Sequence, residues 1–203
     1  MTPFEGCRAI VFDLDGTLAD TVGDLTTALN RTFAELDLPP HPEDAVRRMV
    51  GGGLAKLLTR GLAAHDVSLE AEEHEAMLAR FVAHYAANPC ERTVLYPGVA
   101  ATLSALDEAG IPCGLCTNKH EAITHDLLKG LGIAEAFGAI GGSDAGFPRK
   151  PDPACLVHVL NELGATPETA LMVGDSAIDL ETARAAGLKG AVGDLWLLRD
   201  PGH

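Results

Sequence analysis

Two aspartates near the start of the chain, two residues apart, are the first candidates for a catalytic or cation-binding site. Asp13 and Asp15 stand where the apolar run 9–12 ends and Gly16 begins a turn. Alternate residues of a strand point to the same side, so the two carboxylates can converge on one small volume. Two anions that close repel each other unless a cation or a proton lies between them. The pattern therefore predicts a site for a cation or for proton transfer, and its simpler alternative is a turn built on Asp and Gly.

Further polar residues follow later apolar runs of the same kind. Thr117 and Asn118 come after the run 112–116, and Asp175 comes after the run 170–173. The apolar spacing predicts helices over 99–109, 121–131, 153–163 and 177–186, and strands over 8–13, 112–116, 139–140 and 170–173. Such alternation is typical of an α/β fold with a parallel sheet, whose ligands bind beyond the carboxyl ends of the strands.

The segment between the first strand and residue 88 has a different pattern. From about Asp20 to Ala87, apolar residues recur at intervals of three and four, as in Leu25, Ala28 and Leu29. This spacing is typical of amphipathic helices, and the glycines 51–53 interrupt it. We therefore predict a block of about four helices inserted into the α/β pattern.

Composition restricts the partners. Of 203 residues, 47% are hydrophobic, which supports a substantial core, and the formal net charge is -14. So acidic a chain is unsuited to nucleic acid, and a local metal or lysine must attract any anionic substrate. No segment resembles a signal peptide or a membrane span, so we expect no membrane partner.

Cysteine usage indicates a reduced, cytoplasmic protein. The count of five is odd, which suits free thiols better than a disulfide framework. Cys113 and Cys116 have the spacing of a redox or zinc motif, but they fall within a predicted strand. Residues three apart in a strand face opposite ways, so we interpret them as small buried side chains.

Four short motifs in a fixed order resemble those of the haloacid dehalogenase superfamily, and within it the phosphoglycolate phosphatase group. They are Asp13-Leu14-Asp15-Gly16-Thr17, Thr117-Asn118-Lys119, Lys150-Pro151-Asp152-Pro153 and Gly174-Asp175 with Asp179. The resemblance implies a Rossmann-like parallel-sheet core over 1–16 and 93–203 and an inserted α-helical cap over 17–92. It also implies Mg²⁺.

Applied to these positions, the resemblance assigns a role to each residue. Asp13 would attack phosphorus and become an aspartyl-phosphate, Asp15 would act as general acid and then general base, and Lys150 would neutralise charge. The expected metal ligands are Asp13, the backbone carbonyl of Asp15, Asp175 and Asp179. The expected substrate-binding residues are Thr117, Asn118, Lys119 and, from the cap, Arg48, with Lys56 as the alternative contact for a substrate carboxylate.

The resulting prediction is a cytoplasmic, Mg²⁺-dependent phosphatase of a small phosphorylated metabolite, with 2-phosphoglycolate as the leading substrate. A second carboxylate at Asp15 favours phosphoryl chemistry over carbon–halogen cleavage. Three alternatives stay open: another phosphomonoesterase acting on a sugar phosphate or on pyrophosphate, a phosphomutase, and a catalytically silent binding module. We expect a monomer or a homodimer. After Val192 the chain departs from the family pattern, which could expose Trp196 and Leu197 at a shortened sheet edge.

Overall fold

The chain folds into two compact units. The computed structural model describes residues 6–188 and 190–192, so Trp196 and Leu197 lie outside the described residues. Residues up to Ala19 and from Leu95 onward form unit 1, and Asp20–Val94 form unit 2. The compact units divide after residues 19 and 94. The predicted core and cap domains, which divide after residues 16 and 92, stay a prediction.

The described residues form strands and helices in the following order. The elements are β1 (Ala9–Phe12), β2 (Ala19–Asp20), α1 (Val22–Ala34), α2 (Glu43–Met49), α3 (Leu54–Ala63), α4 (Ala71–Ala87), β3 (Val94–Leu95), α5 (Val99–Glu108), β4 (Cys113–Cys116), α6 (Glu121–Gly130), β5 (Phe137–Gly141), α7 (Ala154–Glu162), β6 (Ala170–Val173), α8 (Ala177–Ala185) and β7 (Gly190–Val192). Single-turn 3₁₀ helices lie at Ala134–Ala136 and Pro167–Thr169. The sequence did not predict β2, β3 or β7, because two or three residues are too few to show a period.

Unit 1 is built on a five-stranded parallel sheet in the order β5-β4-β1-β6-β7. All four residues of the central strand β1 are buried, as expected for a parallel strand covered on both faces. Its side chains alternate between two apolar clusters: Ala9 and Val11 belong to one, Ile10 and Phe12 to the other. The predicted α/β fold with a parallel sheet is confirmed.

Helices cover both faces of this sheet. Residues of α7 and α8, among them Leu156 and Ala183, pack in the cluster that contains Val11. Residues of α5 and α6, among them Leu103 and Leu127, pack in the opposite cluster. The two cysteines of β4 divide in the same way, with Cys116 in the first cluster and Cys113 in the second. Both are buried free thiols, as predicted.

Unit 2 contains the four helices α1–α4. Phe33 of α1 and Phe81 and Tyr85 of α4 are fully buried and form the centre of its core. Buried Asp24 of α1 accepts hydrogen bonds from the backbone amides of 91–93, the segment in which the chain leaves this unit. Across the part of the chain that the structure describes, no helix is long and apolar enough to cross a membrane.

Candidate active site

Three parallel strands deliver polar residues to one edge of the sheet in unit 1. Asp13 directly follows β1, Thr117 follows β4, and Asp175 follows β6 by one glycine. Backbone hydrogen bonds extend the sheet to these positions: the Asp13 amide donates to the Val173 carbonyl at 2.9 Å, and the Thr117 amide donates to the Gly141 carbonyl at 3.0 Å. The backbones of Asp13 and Thr117 are therefore held by bonds to the neighbouring strands of the sheet.

Three carboxylates and one ammonium group form the centre of the site. Asp13, Asp175 and Asp179 each offer one oxygen, and these oxygens lie within 4.8 Å of one another. Nζ of Lys150 is 2.9 Å from Oδ1 of Asp13 and 2.6 Å from Oδ1 of Asp179. Asp13, Asp179 and Lys150 are all buried, so little water screens these charges.

The proton affinities reflect this crowding. Burial, together with the negative charge of Asp179 and against the opposing effect of Lys150, raises the pKa of Asp13 to about 7. Burial and the neighbouring Asp179 also raise the pKa of Asp175. Burial alone would lower the pKa of Lys150, but the carboxylates of Asp13 and Asp179 raise it above its ordinary value. The lysine therefore stays charged, and the carboxylates hold an excess of negative charge.

This donor set fits a divalent cation. Four carboxylates, those of Asp13, Asp15, Asp175 and Asp179, face two ammonium groups, so two negative charges remain when all are ionised. A hard cation such as Mg²⁺ or Ca²⁺ takes carboxylate oxygens as ligands and would neutralise this excess. The Thr17 hydroxyl donates a hydrogen bond to Oδ1 of Asp175 at 3.3 Å, which orients this carboxylate within the cluster.

Close backbone approach is needed around this cluster. Gly16 has a φ angle of +87°, a backbone conformation that residues with a Cβ atom rarely adopt. A Cβ built on Gly16 would also collide with the Asp175 carboxylate. The glycine of the first motif thus allows the loop after β1 and the loop after β6 to approach each other closely.

The start of α8 fixes Asp179. Ser176 is its N-cap residue: its hydroxyl accepts the Asp179 amide hydrogen, and Oδ2 of Asp179 accepts the Ser176 amide hydrogen at 3.1 Å. The Ser176 hydroxyl is also 2.6 Å from this oxygen. Because Oδ1 of Asp179 contacts Lys150, both oxygens have protein partners. In this structure Asp179 therefore acts first as an anchor for Lys150, and its predicted role as a metal ligand stays a prediction.

Asn118 orients the loop that carries Lys150. Its Oδ1 accepts the Lys150 amide hydrogen at 2.8 Å, and its Nδ2 donates to the Lys150 carbonyl at 3.2 Å. Both ends of the amide thus bond the backbone of the residue whose side chain contacts Asp13. The Thr117 hydroxyl accepts the Lys119 amide hydrogen at 3.2 Å, which tightens the same turn. Phosphoryl binding by Thr117 and Asn118 stays a prediction, whereas their positioning role is observed.

A sequence model described as haloacid dehalogenase-like hydrolase matches residues 10–192 of the chain. The chain belongs to this family. The resemblance inferred from the four motifs is thereby confirmed, and the matched range contains every residue of the acidic cluster.

Within the haloacid dehalogenase-like hydrolases, the chain is similar to proteins named phosphoglycolate phosphatase. That of Rhodospirillum rubrum is 46% identical over 198 residues, covering 96% of this chain and 82% of the relative. That of Mesorhizobium japonicum is 42% identical over 179 residues, covering 88% and 79%. These alignments extend over both units of the fold.

Two solved structures give the same result for the fold. A predicted phosphoglycolate phosphatase from Haemophilus somnus 129pt has a TM-score of 0.80 at 29% identity, covering 91% of this chain and 84% of that chain. CbbY from Rhodobacter sphaeroides, solved in complex with phosphate, has a TM-score of 0.72 at 27% identity, covering 96% and 89%. The predicted fold class of this family is confirmed.

Two residues predicted to bind substrate, Arg48 and Lys119, each form an ion pair with an aspartate of the protein. Arg48 lies on α2 in unit 2, where its guanidinium group forms an exposed ion pair with Asp44 one turn earlier at 3.0 Å. Its predicted contact with a substrate is untested. Lys119, predicted to support the phosphate site, places its ammonium group 3.1 Å from Oδ1 of Asp15.

Two contacts of the site were not predicted from the sequence. They are the contact of the Thr17 hydroxyl with Asp175 and the support that the side chain of Asn118 gives Lys150. Thr17 could have been found, because it lies two residues after Asp15 in the same motif. The bond from Asn118 to Lys150 joins residues 32 positions apart and leaves no local signal.

Proposed function

We propose that the protein is a Mg²⁺-dependent phosphatase that hydrolyses 2-phosphoglycolate to glycolate and phosphate through an aspartyl-phosphate on Asp13. The observation that carries the proposal is the buried Asp13 carboxylate, 2.9 Å from the Lys150 ammonium group and clustered with Asp175 and Asp179. The choice of substrate is supported by the names of the relatives, which align over most of the chain.

The size of the barrier explains why several groups are needed. Phosphate-monoester hydrolysis is among the slowest reactions in water, with rate enhancements of up to about 10²¹. Removal of one well-placed hydrogen-bond donor costs about 3 to 4 kcal/mol in typical enzymes. No single residue of this site can therefore supply the whole reduction.

In the first step, a carboxylate oxygen of Asp13 attacks phosphorus, and the bond from phosphorus to the glycolate oxygen breaks. Asp15 donates a proton to that leaving oxygen. In the second step, Asp15 takes a proton from water, the water oxygen attacks the phosphorus of aspartyl-phosphate, and Asp13 is released. Lys150 stays charged throughout and lowers the repulsion between Asp13 and the phosphate dianion.

The acidic cluster is the proposed metal site. Asp13, Asp175 and the Asp15 carbonyl, with Asp179 beside them, would hold Mg²⁺, which when bound supplies further positive charge to the phosphoryl oxygens. We also propose that unit 2 acts as the cap, because the chain enters it a few residues after Asp15. A cytoplasmic location accords with the five free thiols.

A panel of phosphate esters tests the proposed function. We expect the purified protein to release phosphate from 2-phosphoglycolate faster than from sugar phosphates or pyrophosphate, and to stop when EDTA removes the metal. Asp13→Asn should lower turnover by at least about 10³-fold, whereas Asp126→Asn, an exposed aspartate on α6, should leave it unchanged.

Acid quenching with ³²P-labelled substrate tests the covalent step. The label should appear on wild-type protein in a form that hydroxylamine removes, and it should be absent from Asp13→Asn. Faster hydrolysis of a sugar phosphate or pyrophosphate would reassign the substrate, and phosphate that reappears on a sugar would indicate a mutase. No phosphate release from any ester, including p-nitrophenyl phosphate, would favour a silent binding module.

A further inference from the structure

Lys119 is a buried cation placed beside the second aspartate of the first motif. Its side chain is 2% exposed, and Nζ lies 3.1 Å from Oδ1 of Asp15, whose side chain is 22% exposed. Its backbone is held on both sides: the Lys119 amide donates to the Thr117 hydroxyl, and its carbonyl accepts the Ser143 amide hydrogen at 2.9 Å. The ammonium group is therefore presented to Asp15 from a fixed backbone.

Burial of this lysine has a cost that needs a compensating contact. A charged ammonium group removed from water loses solvation free energy, and the attraction of a nearby opposite charge offsets that loss. An exposed lysine would attract an anionic substrate without this cost. A buried lysine in contact with one oxygen of a carboxylate instead restricts the orientation of that carboxylate.

The two buried lysines of the site contact different carboxylates. Lys150 contacts Asp13, the proposed nucleophile, and Asp179, which anchors Lys150. Lys119 contacts Asp15, the residue assigned to proton transfer. This division associates Lys119 with the leaving-group side of the reaction.

We propose that Lys119 is a positioning residue that holds the Asp15 carboxyl group in the orientation from which it protonates the leaving oxygen. This inference rests on the proposed phosphatase function. It differs from phosphoryl binding in one consequence. Lys119 should matter in proportion to how strongly the leaving group needs a proton, because an aliphatic alkoxide needs general acid catalysis and p-nitrophenolate hardly does.

Three substrates separate the possible roles of Lys119. 2-Phosphoglycolate and 2-hydroxyethyl phosphate have poor leaving groups of similar size, with and without a carboxylate, and p-nitrophenyl phosphate has a good leaving group. The quantity to measure is kcat/KM, because it reports only the steps up to phosphorylation of Asp13 and omits the hydrolysis that all three substrates share.

We expect Lys119→Met to lower kcat/KM at least about 10-fold for both aliphatic esters and less than about threefold for p-nitrophenyl phosphate. Lys119→Arg should recover part of the loss, because it keeps the charge. Asp15→Asn should show the same dependence on leaving group with a larger loss. A similar fall for all three substrates would overturn the inference in favour of phosphoryl binding or a structural role. A fall for 2-phosphoglycolate alone would overturn it in favour of contact with the substrate carboxylate.

The double variant gives an independent test. If Lys119 acts through Asp15, then Asp15→Asn with Lys119→Met should be no more than about twofold slower than Asp15→Asn alone on the aliphatic esters. Multiplied losses would contradict the inference. Thermal melting should establish that each variant is folded, with Lys119→Gln replacing Lys119→Met if the latter is not.

Failure of the inference is distinguishable from failure of the proposed function. Wild-type protein that hydrolyses none of the three esters would refute the function. Active wild-type protein with the expected Asp15→Asn pattern, combined with a uniform loss in Lys119→Met, would refute only the role of Lys119.

Discussion

Two buried aspartates, one in each unit, have carboxylates with very different neighbours. Asp24 of unit 2 is 3% exposed and accepts hydrogen bonds from the amides of Glu91, Arg92 and Thr93 and from the Thr93 hydroxyl, at 2.7–3.1 Å. Asp13 of unit 1 is 8% exposed, and it shares Lys150 with Asp179 and lies near Asp175. Neutral donors stabilise one carboxylate, whereas further anions crowd the other.

The difference separates a structural carboxylate, Asp24, from the proposed nucleophile, Asp13. Around Asp24, backbone amides and a hydroxyl donate hydrogen bonds to both carboxylate oxygens, and the group fastens the end of unit 2 to α1. Around Asp13, burial and a like charge raise the pKa to about 7, which is typical of functional sites. Burial alone therefore does not distinguish these two aspartates, whereas the charges of the neighbouring side chains do.

The two aspartates should differ most in what their replacement does to the free energy of unfolding. Asp24→Ala leaves three amides and a hydroxyl without their acceptor, and we expect a loss of about 3 kcal/mol or more in the free energy of unfolding. Asp13→Asn removes one anion from a crowded site while Lys150 keeps Asp179, so its stability should lie within about 1 kcal/mol of wild type. Urea unfolding followed by circular dichroism measures both.

Asp44→Ala is the matched control, since Asp44 is an exposed aspartate of unit 2 and should change stability by less than about 1 kcal/mol. If Asp13→Asn destabilised the protein as much as Asp24→Ala, Asp13 would be a structural residue and the comparison would fail.

The raised pKa of Asp13 should make both stability and Mg²⁺ affinity depend on pH. The pKa of Asp13 is raised from 3.8 to about 7, so the metal-free folded state binds a proton more tightly than the unfolded state. Its contribution to stability is therefore full below about pH 4 and is lost as pH rises through about 7. Mg²⁺ competes with that proton, so its apparent affinity should rise by up to about tenfold per pH unit below 7 and level off above.

Thermal shift on addition of Mg²⁺, measured at about pH 5.5 and about pH 8, tests this linkage. The shift should be larger at the higher pH in wild type, and this pH dependence should weaken in Asp13→Asn. An equal shift at both values would contradict the raised pKa of Asp13.

A small effect on stability is expected from an exposed carboxylate that has two hydrogen-bond partners, a histidine and an arginine. Glu35, the C-cap residue that follows α1, contacts His84 at 2.6 Å and Arg80 at 2.9 Å, and these hydrogen bonds lower the pKa of Glu35. Its contribution is present above its ordinary value of 4.5 and is lost as pH falls through the lowered value.

Glu35→Gln should therefore lower the melting temperature near neutral pH by less than about 2 °C, since water screens surface ion pairs. The difference from wild type should vanish in acid, which scanning calorimetry at several pH values can follow. A decrease as large as that of Asp24→Ala would mean that this surface contact, and not burial, governs the stability of unit 2.

Much of unit 1 could be predicted from the sequence because its patterns are local. The run 9–12 alternates between two clusters, and the predicted strand 170–173 matches β6. The predicted strand 139–140 was too short, because β5 begins at Phe137 and contains Gly138 and Gly141, which weaken a strand pattern. The structural role of Asp24 could not be predicted, since its partners lie at least 67 positions later in the chain.

The residues at the carboxyl edge of the sheet could be predicted from the sequence alone. The ends of the apolar runs and the order of the four motifs are local properties of the chain. Only the tertiary structure decided which charges meet: Lys150 with Asp13 and Asp179, and Lys119 with Asp15. These pairs depend on strand register and on side-chain rotamers of residues far apart in the chain. A difference of an ångström or two in their separation decides whether a carboxylate is paired or crowded.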